Sequence, residues 1–256
     1  MEALYYLDYI KGKYQATSIA DKDLFLPQIP DVMTALETAA KIIKEGGVVG
    51  FPTETVYGLG ANALNPMAVA RIFEVKQRPS FDPLIVHIAE LQQLEELSTS
   101  KDPRIGKLAE AFWPGPLTLI LPKTDQVPDL VTSGLPTVGI RMPDHPLALG
   151  LIRESGCPLA APSANKFGRL SPTRAEHVAR HLPEVDFVLD GGATRVGLES
   201  TIVRLESDGF VILRHGGITR EDLAAVLPES AKTVEAGGPE APGMLDSHYS
   251  PSKPFY

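Results

Sequence analysis

The sequence predicts an α/β protein of the mixed α+β kind: a twisted, mainly mixed or antiparallel sheet with flanking helices. Three observations carry this expectation. Short apolar runs recur along the chain, namely VVGF, PLIVHI, LTLIL, TVGIRM, PLAA, DFVLD, TIVRL and FVILR, and each has the length and residue types of a strand. Amphipathic stretches fall between them irregularly rather than after every strand, which argues against a regular βαβ array. The last two runs stand at hairpin spacing, which favours antiparallel pairing.

Taken in order, residues 1–30 mix tyrosines, charges and prolines without periodicity and read as an N-terminal arm. Asp31 precedes an amphipathic run, MTALETAAKIIKEGG, whose apolar spacing predicts a helix ending at Gly46 and Gly47. VVGF follows as a buried strand stopped by Pro52. Asn65 can cap a helix that opens with Pro66 and runs towards Lys76. PLIVHI, two short helical stretches up to Trp113, and LTLIL come next. Further helices are expected to begin near His145, Thr173 and Thr219. Beyond Ser230 the composition shifts to AKTVEAGGPEAPG, a linker in character. The expected organisation is thus an arm over 1–30, a catalytic domain over 31–230, and a linker or cover segment over 231–256 leading to a further domain.

Composition narrows the function classes. A net charge of −8 argues against a broad nucleic-acid footprint. It leaves room for cations gathered in one cleft around a small anion. No apolar run approaches the roughly 20 residues that span a bilayer, and the opening MEALYYLDYIKGKYQ is not a signal peptide in pattern. The single cysteine, Cys157, excludes an internal disulfide framework and a Cys-rich metal site. A cytoplasmic location without membrane attachment is the expectation.

Several motifs mislead. Gly58 to Ala63 fits G-x-G-x-x-A, but Pro52 to Tyr57 separate it from the preceding strand and the helix starts only at Pro66. There is no G-x-x-x-x-G-K-[ST], so bound ATP would be held without a Walker loop. Neither G-x-S-x-G nor H-E-x-x-H occurs.

Polar groups at the ends of predicted strands are more informative. In PTETVYGLG (52–60), Thr53, Glu54 and Thr55 follow a buried strand, and their polar groups suit either an amino-acid substrate or a plain strand exit. Lys76 and Arg78 end a helix, where the dipole favours cations in any case. If Pro79 stops that helix, both aim into a cleft fit for phosphates, Arg as a fork and Lys as a point charge. His87 lies in an apolar strand, either as a core residue or at the same cleft. Thr137 and Arg141 share a strand face because their spacing is even. A buried arginine needs an anion, which a substrate or an internal carboxylate can provide. Ala160 and Ala161 leave room for a planar ligand, with Ser163 and Asn165 as hydrogen-bonding groups. Ser171, Ser200 and Arg214 stand at further element ends.

The order and spacing of PTETVYGLG, KQRP with PLIVHI, WPGPLTLIL, TVGIRMP, APSAN, ESTIV and ILRHG resemble the YrdC-like threonylcarbamoyl-AMP synthases. The signature K-x-R…S-x-N is carried by Lys76, Arg78, Ser163 and Asn165. The resemblance covers about 31–225 and continues into APGMLDSHYSP, which is similar to the interdomain linker of the long, two-domain form. It implies a mixed α/β fold around a deep, positive cavity. In that cavity bicarbonate and L-threonine become a carbamate that is adenylated by ATP, with Mg2+, for threonylcarbamoyladenosine modification of tRNA.

The resemblance also implies site roles. Thr53, Thr55, His87, Arg141, Ala161 and Ser200 would contact L-threonine. Lys76, Arg78, Asp82, Thr137, Ser163, Asn165, Ser171, Arg214 and Tyr249 would contact ATP, with Lys76 and Arg78 catalytic. No resident protein-only metal site is implied. The partners implied are L-threonine, bicarbonate, ATP and a downstream threonylcarbamoyl transferase machinery, without stable tRNA binding. Two departures from the family pattern stand out: Leu245, Asp246 and Ser247 follow P-G-M, and Asp82 replaces a frequent amide. No residue presents itself as a covalent nucleophile, so positioning and charge stabilisation carry the chemistry. The competing readings are a carbamoyl-transferring paralogue and an RNA-binding module of the same fold.

Overall fold

The computed structural model describes residues 29–230 and Pro242. The expected arm, most of the segment 231–256 and Tyr249 lie outside the described residues. The first helix, α1 (Ile29–Lys44), carries Lys41 and Lys44 in its last turn, where cations complement the helix dipole. It begins two residues before the expected Asp31. Gly46, at φ 83°, turns the chain into β1 (Val49–Phe51).

Among the described residues, nine strands form one mixed sheet in the order β7-β1-β2-β6-β3-β5-β4-β8-β9. They are β1, β2 (Gly58–Asn62), β3 (Ile85–His87), β4 (Leu117–Pro122), β5 (Thr137–Arg141), β6 (Leu159–Ala160), β7 (Phe187–Val188), β8 (Thr201–Glu206) and β9 (Gly209–Arg214). Only the pairs β1/β7, β3/β5 and β4/β8 are parallel. The mainly antiparallel, mixed sheet expected from the sequence is the sheet observed.

β2 is absent from the expected strands: GLGAN pairs with β1 on one side and β6 on the other. Its glycines serve packing: a Cβ on Gly60 would lie 2.7 Å from the Phe51 ring. Glycine hid the strand because it has no side chain to show alternation.

The two faces of the sheet differ. One buries Val86, Leu119, Leu121 and Ile140 against α2 (Pro66–Lys76), the helix 104–112 and the helix 220–224. A second cluster packs α1 against the helix Pro146–Ser155 and against Val49 and Phe51. The opposite face of the central strands is thinner. There Ile85, Ile120 and Ile202 form a small apolar floor, and a Cβ on Gly139 would meet Ile120 and Thr118 at 3.3 Å. Period-two alternation then puts His87 and Arg141 on this same face, side by side in the parallel register of β3 and β5. The candidate groups therefore stand at strand ends, as the sequence suggested: His87, Arg141 and Arg214 close β3, β5 and β9, and Ser200 immediately precedes β8. Among the described residues, no helix is long and apolar enough to cross a membrane.

Candidate active site

α2 ends where two cations are needed. Asn65 caps its start by accepting from the Met67 and Ala68 amides. At the other end Gln77, at φ 52°, takes the left-handed conformation, and the Arg78 amide bonds back to Phe73 O. This cap, rather than Pro79, stops the helix. It leaves Lys76 on the last turn and Arg78 just past it, both buried.

Thr53, Thr55, Val56, Gly58, Arg78, Ile85, His87, Arg141, Ala161, Pro162, Ser163, Glu199, Ser200, Arg214 and Pro242 line one cavity open to solvent, with about 460 Å³ of empty space. Nine of the expected site residues are in that set. The turn 215–217 fastens its far wall. A Cβ on Gly216 would lie 2.3 Å from Glu199 O, and the Gly217 amide donates to the same oxygen at 3.1 Å. Only glycine permits so close an approach.

At the 53–55 corner the hydrogen bonds have a definite direction. Thr53 Oγ1 donates to Val56 O at 2.7 Å, which uses its only proton. The 2.8 Å contact between Thr53 and Thr55 hydroxyls is therefore donated by Thr55. Thr55 Oγ1 in turn accepts from Arg141 Nη1 at 3.0 Å. Arg141 also donates to Gly115 O at 3.3 Å and pairs with Glu54 at 2.6 Å, both side chains being at most 4% exposed. The anionic partner of this buried arginine is thus an internal carboxylate. Thr53 also accepts from the Thr55 and Val56 amides, so it braces the corner, while Thr55 keeps a free acceptor position.

Arg78 is held by a similar buried pair with Asp82 at 2.7 Å, and its Nε and Nη2 donate to Asp82 O and Pro83 O. Its guanidinium lies over the Phe167 ring. Lys76 Nζ donates to the backbone oxygens of Ser163 and Asn165. Asn165 Nδ2 donates to Lys166 O and Arg169 O. In this structure K-x-R…S-x-N is a staple: the lysine ties down the loop whose serine lines the cavity. Burial, then Arg78, lowers the Lys76 pKa well below the ordinary lysine value, with Glu199 and Asp82 opposing.

Ser171 Oγ donates to Glu199 Oε1 at 2.7 Å. Arg214 donates from Nε to Ser200 O, from Nη2 to Ser200 Oγ at 2.9 Å, and from Nη1 to Pro242 O at 3.2 Å. Ser200 Oγ also meets Thr118 Oγ1 at 2.8 Å.

The structure does not bring every expected residue to the cavity wall. Lys76, Asp82 and Asn165 stand behind it, and Ser171 reaches it through Glu199. Thr137 shares a face with Arg141 but opens β5 at its other end, about 13 Å away by strand rise, and does not line the cavity. Even spacing identifies a face, not a position along it. Glu54, which suits an amino-acid substrate by sequence, is instead taken up by Arg141, and Thr118 and Glu199 are not expected from the sequence as ligand contacts. Of these two, only Glu199 has a sequence signal, as the first residue of ESTIV.

His87 supplies a pH signature. It is 4% exposed, and its Nδ1 has no hydrogen-bond partner among the described residues. Burial first and Arg141 second push its pKa from 6.5 down to about 3. The unfolded chain therefore takes up a proton that the fold rejects. The resulting stabilisation is complete above pH 6.5 and is lost as pH falls towards 3. At pH 5 it should be smaller by roughly 2 kcal/mol, since one pKa unit is about 1.4 kcal/mol. Urea unfolding at pH 7 and pH 5 checks this: His87→Gln should shrink the difference, and an equal difference in both proteins would contradict it.

Comparison with known proteins identifies the family. The Sua5/YciO/YrdC family profile, described as telomere recombination, matches residues 41–216. A second profile, the C-terminal domain of threonylcarbamoyl-AMP synthase, matches 218–256. A Bacillus subtilis protein named threonylcarbamoyl-AMP synthase is 53% identical over 223 residues, covering 85% of this chain and 64% of its own. A Schizosaccharomyces pombe protein of the same name is 42% identical, covering 87% and 63%. The crystal structure of Pyrococcus abyssi Sua5 complexed with L-threonine superposes with a TM-score of 0.79 at 49% identity, covering 85% of this chain and 66% of that one. The chain thus spans about two thirds of the length of these relatives. By profile, identity and shape, it belongs to the Sua5/YciO/YrdC family.

Proposed function

We propose that this chain forms L-threonylcarbamoyladenylate and pyrophosphate from L-threonine, bicarbonate and ATP, for threonylcarbamoyladenosine modification of tRNA. The observation that carries the reading is one cavity in which Arg78, Arg141 and Arg214 gather beside the hydroxyls of Thr55, Ser163 and Ser200. The names of the B. subtilis and S. pombe relatives and the threonine complex of P. abyssi Sua5 support it.

The cavity divides by chemistry. Thr53, Thr55, His87, Arg141, Ala161 and Ser200 form the threonine end. The Thr55 acceptor position suits an ammonium or hydroxyl proton. His87, kept neutral, can hydrogen-bond without adding charge. Arg78, Ser163, Ser171 and Arg214 form the nucleotide end, with Lys76, Asn165 and Asp82 holding it in place, and Thr137 and Tyr249 assigned to it by family resemblance alone. The reaction brings a carbamate anion to the α-phosphate of a polyanion. Prealigned guanidinium groups that meet the charge spread over that phosphorus lower the barrier without reorganising. Orientation of the two substrates adds several kcal/mol. A magnesium ion carried by the nucleotide adds charge neutralisation when bound, and the oxygen donors of Glu199 and Ser171 suit it chemically.

Residues 31–230 are the proposed catalytic domain, with 231–256 as linker or cover leading to a further domain and 1–30 as an arm. The proposed setting is the cytoplasm, with a threonylcarbamoyl transferase system taking the product and no stable tRNA complex. Pyrophosphate release tests the activity against a carbamoyl-transferring paralogue. It should require both threonine and bicarbonate, and release that ignores threonine would refute the assignment.

A further inference from the structure

Three carboxylates stand close to the cavity, and they are used differently. Glu54 and Asp82 are at most 1% exposed and pair with Arg141 and Arg78 at 2.6 and 2.7 Å. Each is consumed by the arginine it neutralises. Glu199 is not. Its Oε1 accepts from Ser171, while Oε2 has no hydrogen bond among the described residues and lies 3.7 Å from Arg214 Nη2. Arg214 is already oriented by two bonds to Ser200 and one to Pro242. The side chain of Glu199 is 18% exposed and lines the cavity. Its backbone is clamped by Gly216 and Gly217, so the carboxylate is presented from a rigid wall.

A carboxylate with an open oxygen inside a polyphosphate site repels the ligand unless a cation lies between them. Among the described residues no group of three or more His, Cys, Asp or Glu could hold a metal by itself. Magnesium, however, is ordinarily held by one or two carboxylates together with the substrate's phosphates. We propose that Glu199, through Oε2, is the protein's ligand to the divalent cation carried by the nucleotide, positioned by its bond from Ser171. The proposal rests on the ATP-dependent function proposed above.

The experiment is nucleotide binding by the full chain, using an ATP analogue with a non-hydrolysable α–β bridge, in Mg2+ and in EDTA. Wild type should bind at least tenfold more tightly with Mg2+. Glu199→Gln, which can still accept from Ser171, should lose that gain while binding in EDTA as well as wild type or better. Glu199→Cys should prefer Cd2+ over Mg2+ with the analogue, because thiolate selects the softer ion. This switch also reads the contact if the glutamine variant folds poorly. Equal weakening of Glu199→Gln with and without metal would overturn the proposal in favour of a role in holding Ser171 and Arg214. A retained Mg2+ gain would overturn it too. Wild type that binds the analogue with no metal gain removes this proposal alone, whereas wild type that binds no nucleotide removes the functional reading with it.

Discussion

Arg141→Ala is expected to lower the free energy of unfolding by about 3–5 kcal/mol, the usual effect of stripping one partner from a buried ion pair. The size follows from what is left behind. Glu54 would remain as a buried carboxylate with its 2.6 Å partner gone. Thr55 Oγ1 and Gly115 O would also lose their donor. Three parts of the fold meet at this guanidinium: the 53–55 corner, the turn before β4, and the end of β5. Its loss should therefore loosen the threonine end as well as destabilise the chain. The second half of the expectation concerns charge. Arg141→Met combined with Glu54→Gln removes both charges at similar volume, and it should recover most of the stability but not threonine binding. Urea denaturation and threonine titration separate the two. If Arg141→Ala unfolds at the wild-type midpoint, the pair is not the keystone of the corner.

Arg214→Gln is expected to reduce kcat/KM for threonine-dependent pyrophosphate release by about 100-fold or more, the range seen when one donor to developing charge is removed. Stability should fall less than in Arg141→Ala, because Glu199 lies 3.7 Å from Arg214 and is 18% exposed, whereas Glu54 lies 2.6 Å from Arg141 and is 1% exposed, so its loss of a partner costs more. The bonds of Arg214 to Ser200 O and Ser200 Oγ fix its direction, and glutamine can keep at most one of them. Arg214→Lys should recover part of the rate, since it restores a charge but not the fork geometry. Steady-state kinetics beside a thermal melt decides the matter. Near-normal turnover in the glutamine variant would take Arg214 out of the nucleotide end.

Much of this arrangement was legible in the sequence because local chemistry and global fold agree. Asn65 with Pro66, His145 and Thr219 mark helix starts that the structure confirms with cap hydrogen bonds, whereas the helix expected near Thr173 begins at Ala175 without a side-chain cap. LTLIL, TVGIR, TIVRL and FVILR became strands at nearly their expected bounds. PLAA and DFVLD shrank to two-residue strands, since β-pairing needs a neighbour and apolar runs do not reveal how much of one is available. The site was partly legible. Arg78, His87, Arg141, Ser163, Ser200 and Arg214 meet as the motif order implied.

What stayed hidden was long-range. Nothing in PTETV indicates that Glu54 will be consumed by an arginine 87 residues later. Nothing in KQRP indicates that Lys76 will tie down the backbone of Ser163 and Asn165 instead of facing an open cleft. Such roles come from the packing of separate elements, which periodicity and composition do not encode.

The claim beneath all of this is that one cavity holds an amino acid and a nucleotide close enough to be joined. Incubation with ATP, carbon-13 bicarbonate and a panel of amino acids, followed by mass detection, tests it most directly. The expected product is an adenylate whose mass includes threonine and the labelled carbon, formed with equimolar pyrophosphate. ATP consumption without such an adenylate, or an adenylate formed equally from any amino acid, would contradict it.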